Sequence, residues 1–116
     1  MKDFMLIFKG KTYDALELSP EQVQQRMGNW FAWHQKMEAD GVQIKGGDAL
    51  HDHTRIMSGT DRTVTDVASP ETKELVGGYY IVTVNDLAAA TKIAEGFPDF
   101  DLGSEVEIRE IQKFEE

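Results

Sequence analysis

The residues best suited to chemistry lie in the stretch TDVASPETKELVGGYY, Thr65 to Tyr80, and on a helix well upstream of it. Asp66 is followed by Thr72, Lys73 and Glu74, and then by Tyr79 and Tyr80. In the functional reading, Asp66 or Glu74 is a general base held by Lys73 at the mouth of a pocket floored by the two tyrosines. Such a base must lie within hydrogen-bond reach of its substrate, with its pKa tuned by burial. The same residues also make a plain turn, in which Asp66 accepts backbone N–H groups and Lys73 forms solvated ion pairs with Glu71 and Glu74. His34 is the second candidate. It falls on an apolar stripe between Trp30 and Met37, where a histidine is either a core residue bonded to backbone or a pocket base. The candidate catalytic residues are therefore His34 and Asp66. The candidate ligand-binding residues are Trp30, Thr72, Lys73, Glu74, Tyr79 and Tyr80.

Other clusters point to less. His51 and His53 alternate in HDH as two metal ligands would, with Asp48 or Asp52 as a third or fourth, but no spaced partner motif appears elsewhere, so a solvated loop is expected and no metal. Gly46-Gly47 and Gly77-Gly78 match neither phosphate-binding glycine pattern and read as packing or bulge glycines. Trp30, Phe31 and Trp33 could line an apolar pocket, and they serve equally well as a packing face. With no cysteine among its 116 residues, the chain has neither a disulfide framework nor a thiol nucleophile. No cofactor is expected.

The elements that must hold these groups are legible in outline. Residues 3–9 form a strand with Phe4, Leu6 and Phe8 on one face and Met5 and Ile7 on the other. Ser19, Pro20 and Gln22 spell a helix start, with Leu18 and Val23 as a hydrophobic staple. That helix runs to about Asp40 and stops at Gly41, burying Val23, Met27, Trp30, His34 and Met37, with Phe31 and Trp33 widening the stripe. Residues 42–50 read as a strand broken at Gly46-Gly47, and residues 55–66 as a hairpin around SGTD. GYYIVTV is the strongest strand, with Tyr80, Val82 and Val84 on one side and Tyr79, Ile81 and Thr83 on the other. A second helix follows, capped by Asn85, burying Leu87, Ala90, Ile93 and Ala94, and ended by Gly96 and Pro98. SEVEIREI closes as a strand with Val106 and Ile108 inward.

Strand, helix, strand, hairpin, strand, helix, strand makes a ferredoxin-like α+β domain with an extra hairpin, a single domain over residues 1–116. Both faces of the central strands are apolar, so the face without helices needs cover. A second copy of the chain placed sheet to sheet would supply it, giving a homodimer. The formal charge of −9, with twelve scattered basic residues, disfavours nucleic acid and anionic membranes. No apolar run is long enough to span a bilayer and the N-terminus carries no export signal, so a cytoplasmic location is expected.

With these elements in place, the chain resembles the YCII-related family. It is most similar to the branch named for an Asp-Gly-Pro-Phe motif, which continues Ala-Glu-Thr-Lys-Glu and Gly-Gly-Tyr-Tyr. Asp66, Glu71-Thr72-Lys73-Glu74 and Gly77-Gly78-Tyr79-Tyr80 match; Val67, Ala68 and Ser69 stand where Gly-Pro-Phe would, and Pro70 where alanine is usual. FMLIFKG, LSPEQ, ADGVQIKGGDAL and GSEVEIREI extend the match over nearly the whole chain. The resemblance implies a dimeric α/β-barrel assembly of ferredoxin-like subunits, with an unknown small molecule in a pocket of each. Most members have no assigned reaction, and at least one relative resembles a dehydrochlorinating enzyme. In the wider family a His on the first helix and an Asp near the end of the second are taken as a catalytic pair. Those positions fall at about Trp30 and Phe97 here, and neither residue can do acid–base work. Two readings follow: a cofactor-free lyase- or hydrolase-like protein with His34 or Asp66 as base, or a dimeric module that binds a ligand or protein without turnover.

Overall fold

The structure is a computed structural model and describes residues 1–67 and 75–114. Its first helix, α1 (Pro20–Ala39), begins as the local chemistry dictates. The Ser19 hydroxyl accepts the Gln22 N–H at 3.2 Å, and the Gln22 side chain accepts the Ser19 N–H at 2.8 Å. Two donors that the first turn would leave orphaned are thereby satisfied. Asp40 ends the helix, and Gly41 (φ 81°) takes the left-handed turn that glycine adopts without strain.

Four strands form the main sheet: β1 (Lys2–Lys9), β2 (Gln43–Ala49), β5 (Val76–Val84) and β6 (Glu105–Glu110), in the order β2-β5-β1-β6. Each neighbouring pair is antiparallel. With α1 between β1 and β2, and α2 (Leu87–Ala94) between β5 and β6, this is the ferredoxin-like α+β arrangement. Residues 54–58 and 63–67 form β3 (Thr54–Ser58) and β4 (Thr63–Val67), a separate two-stranded ribbon inserted between β2 and β5.

The core lies on one face of the sheet. Phe4, Leu6, Phe8, Val82 and Val84 pack against Trp33 and Met37 of α1, Ala90 of α2, and Phe97. Period-2 alternation in the strands meets a helical line running Arg26, Trp30, Trp33, Met37. That line corrects the expected stripe: Trp33 and Met37 are buried, whereas Phe31 is 63% exposed and Met27 59%. The helix is turned so that its Trp33 edge, rather than its His34 edge, faces the sheet. In α2 the inward residues are Ala90 and Ala94, while Leu87 is 55% exposed. Its cap is Asp86 rather than Asn85, because the Asp86 carboxylate is the group that accepts the Ala89 N–H, at 2.8 Å.

Gly46-Gly47 does not break β2. The strand runs through with a bulge between Ile44 and Gly46, which displaces Lys45 from the ladder. Gly47 is required there by space: a Cβ would run into the Tyr80 ring and lie 2.7 Å from the Tyr79 carbonyl oxygen. The sheet face away from the helices is mixed rather than uniformly apolar. Met5, Ile7 and Ile81 are half-buried among polar groups, chiefly Asp3 bonded to Thr83 and Lys45, and Lys9 bonded to Glu107.

Candidate functional site

A cleft of about 410 Å³ opens where β1 gives way to residues 10–13, between α1 and the β2 edge of the sheet. Its apolar wall is built from Phe8, Trp30, Tyr80 and Phe97. Phe8 stacks on Phe97 (centroids 5.2 Å, 10°), and Trp30 meets both edge-on at 4.9 and 5.4 Å. These offset and T-shaped contacts are the favoured aromatic geometries, so the wall is rigid. Gly47 and Gly78 keep side chains out of the β2–β5 edge, and that leaves the cleft open beside Tyr80.

One end of the cleft is polar and tightly connected. The Tyr13 hydroxyl donates to Asp99 Oδ2 at 2.7 Å, and Trp30 Nε1 lies 3.0 Å from the Tyr13 oxygen and 3.2 Å from Asp99 Oδ2. Arg26 donates to the Pro98 carbonyl at 3.2 Å, approaches Asp99 Oδ1 at 3.5 Å, and holds Asp101 with both guanidinium nitrogens at 2.7 and 2.8 Å. Asp99 is only 6% exposed, a burial that a carboxylate tolerates when it is paired and hydrogen-bonded this fully. Burial, and then the bond to Asp99, push the Tyr13 phenol well above its ordinary range. Tyr13 is therefore neutral and acts as a donor.

The residues singled out by sequence separate into three groups. Trp30, Tyr79 and Tyr80 line the cleft. His34 stands just behind it: its Nδ1 is 3.3 Å from the Tyr80 hydroxyl and its Nε2 3.5 Å from Glu38 Oε1. Glu38 can only accept, so an Nε2–H there leaves Nδ1 as the acceptor for the Tyr80 O–H. Burial pushes the Tyr80 phenol up, which keeps its proton in place for that bond. Asp66 is on the β3–β4 ribbon, its carboxylate accepting from Arg55 Nε at 2.8 Å with most of the side chain in solvent. The structure does not bring Asp66 to His34 or to the cleft wall. Thr72, Lys73 and Glu74 lie outside the described residues.

Three site residues were missed by sequence: Tyr13, Arg26 and Asp99. The resemblance puts an aspartate at about Phe97, but Phe97 is a core ring, and the buried carboxylate beside Trp30 belongs to Asp99. Tyr13 and Asp99 are 86 positions apart, so no local pattern joins them. The available signal was Arg26, a charged residue on the inward line of α1 that must meet a carboxylate where it goes under.

Among the described residues no group of three or more His, Cys, Asp or Glu could hold a metal ion. His51 and His53 are exposed on the link between β2 and β3. No helix among the described residues is long and apolar enough to cross a membrane.

The architecture defines a ferredoxin-like α+β domain with an open cleft at the edge of its sheet. The chain belongs to the YCII-related domain family, which it matches over residues 3–115. No curated protein matches the chain.

Proposed function

We propose that the protein binds a compact organic molecule in the cleft between α1 and the β2–β5 edge. The observation that carries this is the pairing of a rigid aromatic wall with a buried, fully bonded polar end in one opening of about 410 Å³, the usual make-up of a small-molecule site. Cofactor-free acid–base chemistry on such a ligand would run through Tyr80 and His34. As the Tyr80 oxygen took a proton from the ligand, its own proton would pass to His34 Nδ1. Asp66, tied to Arg55 away from the cleft, has no part in this route. Membership of the Asp-Gly-Pro-Phe branch is part of the same reading, supported by the Glu71–Glu74 run and Gly77-Gly78-Tyr79-Tyr80.

A non-catalytic module is the second reading, and one observation favours it. Trp30, which carries no titratable proton, occupies the place beside Asp99 where a catalytic pair would need a base. In either reading the protein pairs with a second copy of itself. The helix-free sheet face carries both signs of charge beside Met5, Ile7 and Ile81, a pattern that can complement itself across a two-fold axis.

A thermal-shift screen of small organic molecules tests the site. Ala49 pairs with Gly78 and shares its face of the sheet at the cleft edge, so Ala49→Trp fills the opening. Hits should stabilise the parent and lose their effect in Ala49→Trp; hits that stabilise both alike would place the site elsewhere. Tyr80→Phe and His34→Gln should keep binding and abolish any turnover, which separates catalyst from module.

A further inference from the structure

The wall of the cleft built from residues 10–13 and Ser104 carries donors with no protein acceptor among the described residues. Lys11 lines the cleft and, among the described residues, meets no carboxylate. The Thr12 hydroxyl accepts the Ala15 N–H at 3.1 Å, and its own proton is left for another partner. Ser104 Oγ lies against Gly10, where a Cβ would collide with it, so its hydroxyl reaches the same wall from the start of β6. The carboxylates of the cleft are already answered: Asp99 by Tyr13, Trp30 and Arg26, and Asp48 by the Tyr79 hydroxyl at 3.0 Å.

From this, and resting on the cleft being the ligand site, we infer that the ligand is a flat, mainly apolar acid. Its ring lies on the Phe8–Trp30–Tyr80 wall, and its carboxylate is held by the Lys11 ammonium with the Thr12 and Ser104 hydroxyls. One ammonium balances one negative charge. A phosphate would want several cations or a run of backbone N–H groups from a glycine-rich loop, and the sequence has no such pattern. The chain's net charge of −9 does not forbid an anion here. Exposed charges farther away than about 10 Å are screened at ordinary salt, so the groups lining the cleft decide, with the Lys11 ammonium on one wall and the Asp48 carboxylate held by the Tyr79 hydroxyl on the β2 edge. The aromatic wall selects a planar body, because ring faces and edges are offered together.

The test is a titration of the full-length, ¹⁵N-labelled protein with 2-naphthoate and, separately, with the neutral 2-naphthamide. It is read at the Trp30 indole N–H and at the Gly10 and Gly47 amides. At low salt 2-naphthoate should bind about tenfold more tightly than 2-naphthamide, a difference of about 1.4 kcal/mol. Lys11→Gln should erase that preference while leaving 2-naphthamide binding as it was; Lys11 is exposed and bonds no side chain among the described residues, so the variant should fold normally. Equal affinity of the parent for the two probes would overturn the inference and leave the cleft as a binding site. Failure of both probes to move these signals at millimolar concentration would overturn the cleft reading as well.

Discussion

Among the described residues, Asp3 is the carboxyl held furthest below its ordinary value. It accepts the Thr83 hydroxyl at 2.7 Å and the Lys45 ammonium at 2.9 Å, and these bonds, Thr83's first, bring its carboxyl from 3.8 down to about 2. A folded pKa below the unfolded one gives stability that is present above the unfolded value of 3.8 and is lost as pH falls through about 2. Asp3→Asn should therefore flatten the acid side of a urea-midpoint profile across that window, and a slope equal to the parent's would show that the bonds contribute nothing. Tyr13 works at the other end. Its folded pKa is raised above 10.0, so its contribution is present below that value and is lost as pH rises through the higher one. Tyr13→Phe should flatten the alkaline side in the same measurement. Tyr79 and Tyr80 could be read from sequence because they follow the glycine pair at the start of the strongest strand, and Trp30 because it falls on the aromatic stripe of α1. The Tyr13–Asp99–Arg26 network offered only Arg26 as a signal, since a buried aspartate looks like a surface one until its partners are placed.

Helix α1 was legible to within a residue because Ser19 and Gln22 bond each other three positions apart and Pro20 presets its own φ at the first helical position, both of which sequence displays directly. Its rotation was not, since seven apolar or aromatic residues compete for a face that only the sheet can choose. The same holds for β2, where two glycines look like a break and are instead a bulge plus a close approach. Gly47 sets a sharp test of that geometry. Any side chain there must displace the Tyr80 ring or the Tyr79 carbonyl, so Gly47→Val should cost about 1–3 kcal/mol by overpacking, measured by urea unfolding. Gly46 has no atom within 4 Å of a built Cβ, and Gly46→Ala should cost far less. Equal costs at the two positions would remove the argument that Tyr80 is pressed against the β2 backbone.

The described residues span 48 × 42 × 18 Å, the thickness of one sheet and one helix layer. A sheet with helices on one side only has its other side in water unless something covers it. The ribbon adds to that exposure, with Ile56 53%, Met57 64% and Val64 51% exposed. Two isolated strands hold together poorly without a third or a packed face. Sedimentation at micromolar concentration should give the mass of two chains, and Ile81→Lys on the helix-free face should give the mass of one. A single-chain mass for the parent would overturn the pairing. The place where the ribbon joins the platform has a further consequence. Ala49 pairs with Gly78, and the Leu50 N–H reaches the Gly77 carbonyl at 2.9 Å, so the two ends of the insertion already stand side by side. A tight turn from Leu50 to Gly77 would bridge them and keep the β2–β5 pairing, losing only the Val76–Lys9 pair and the bond from the Gly10 N–H to the Leu75 carbonyl. A change of length or surface within the ribbon itself would therefore leave the pairing of β2 with β5 as it is.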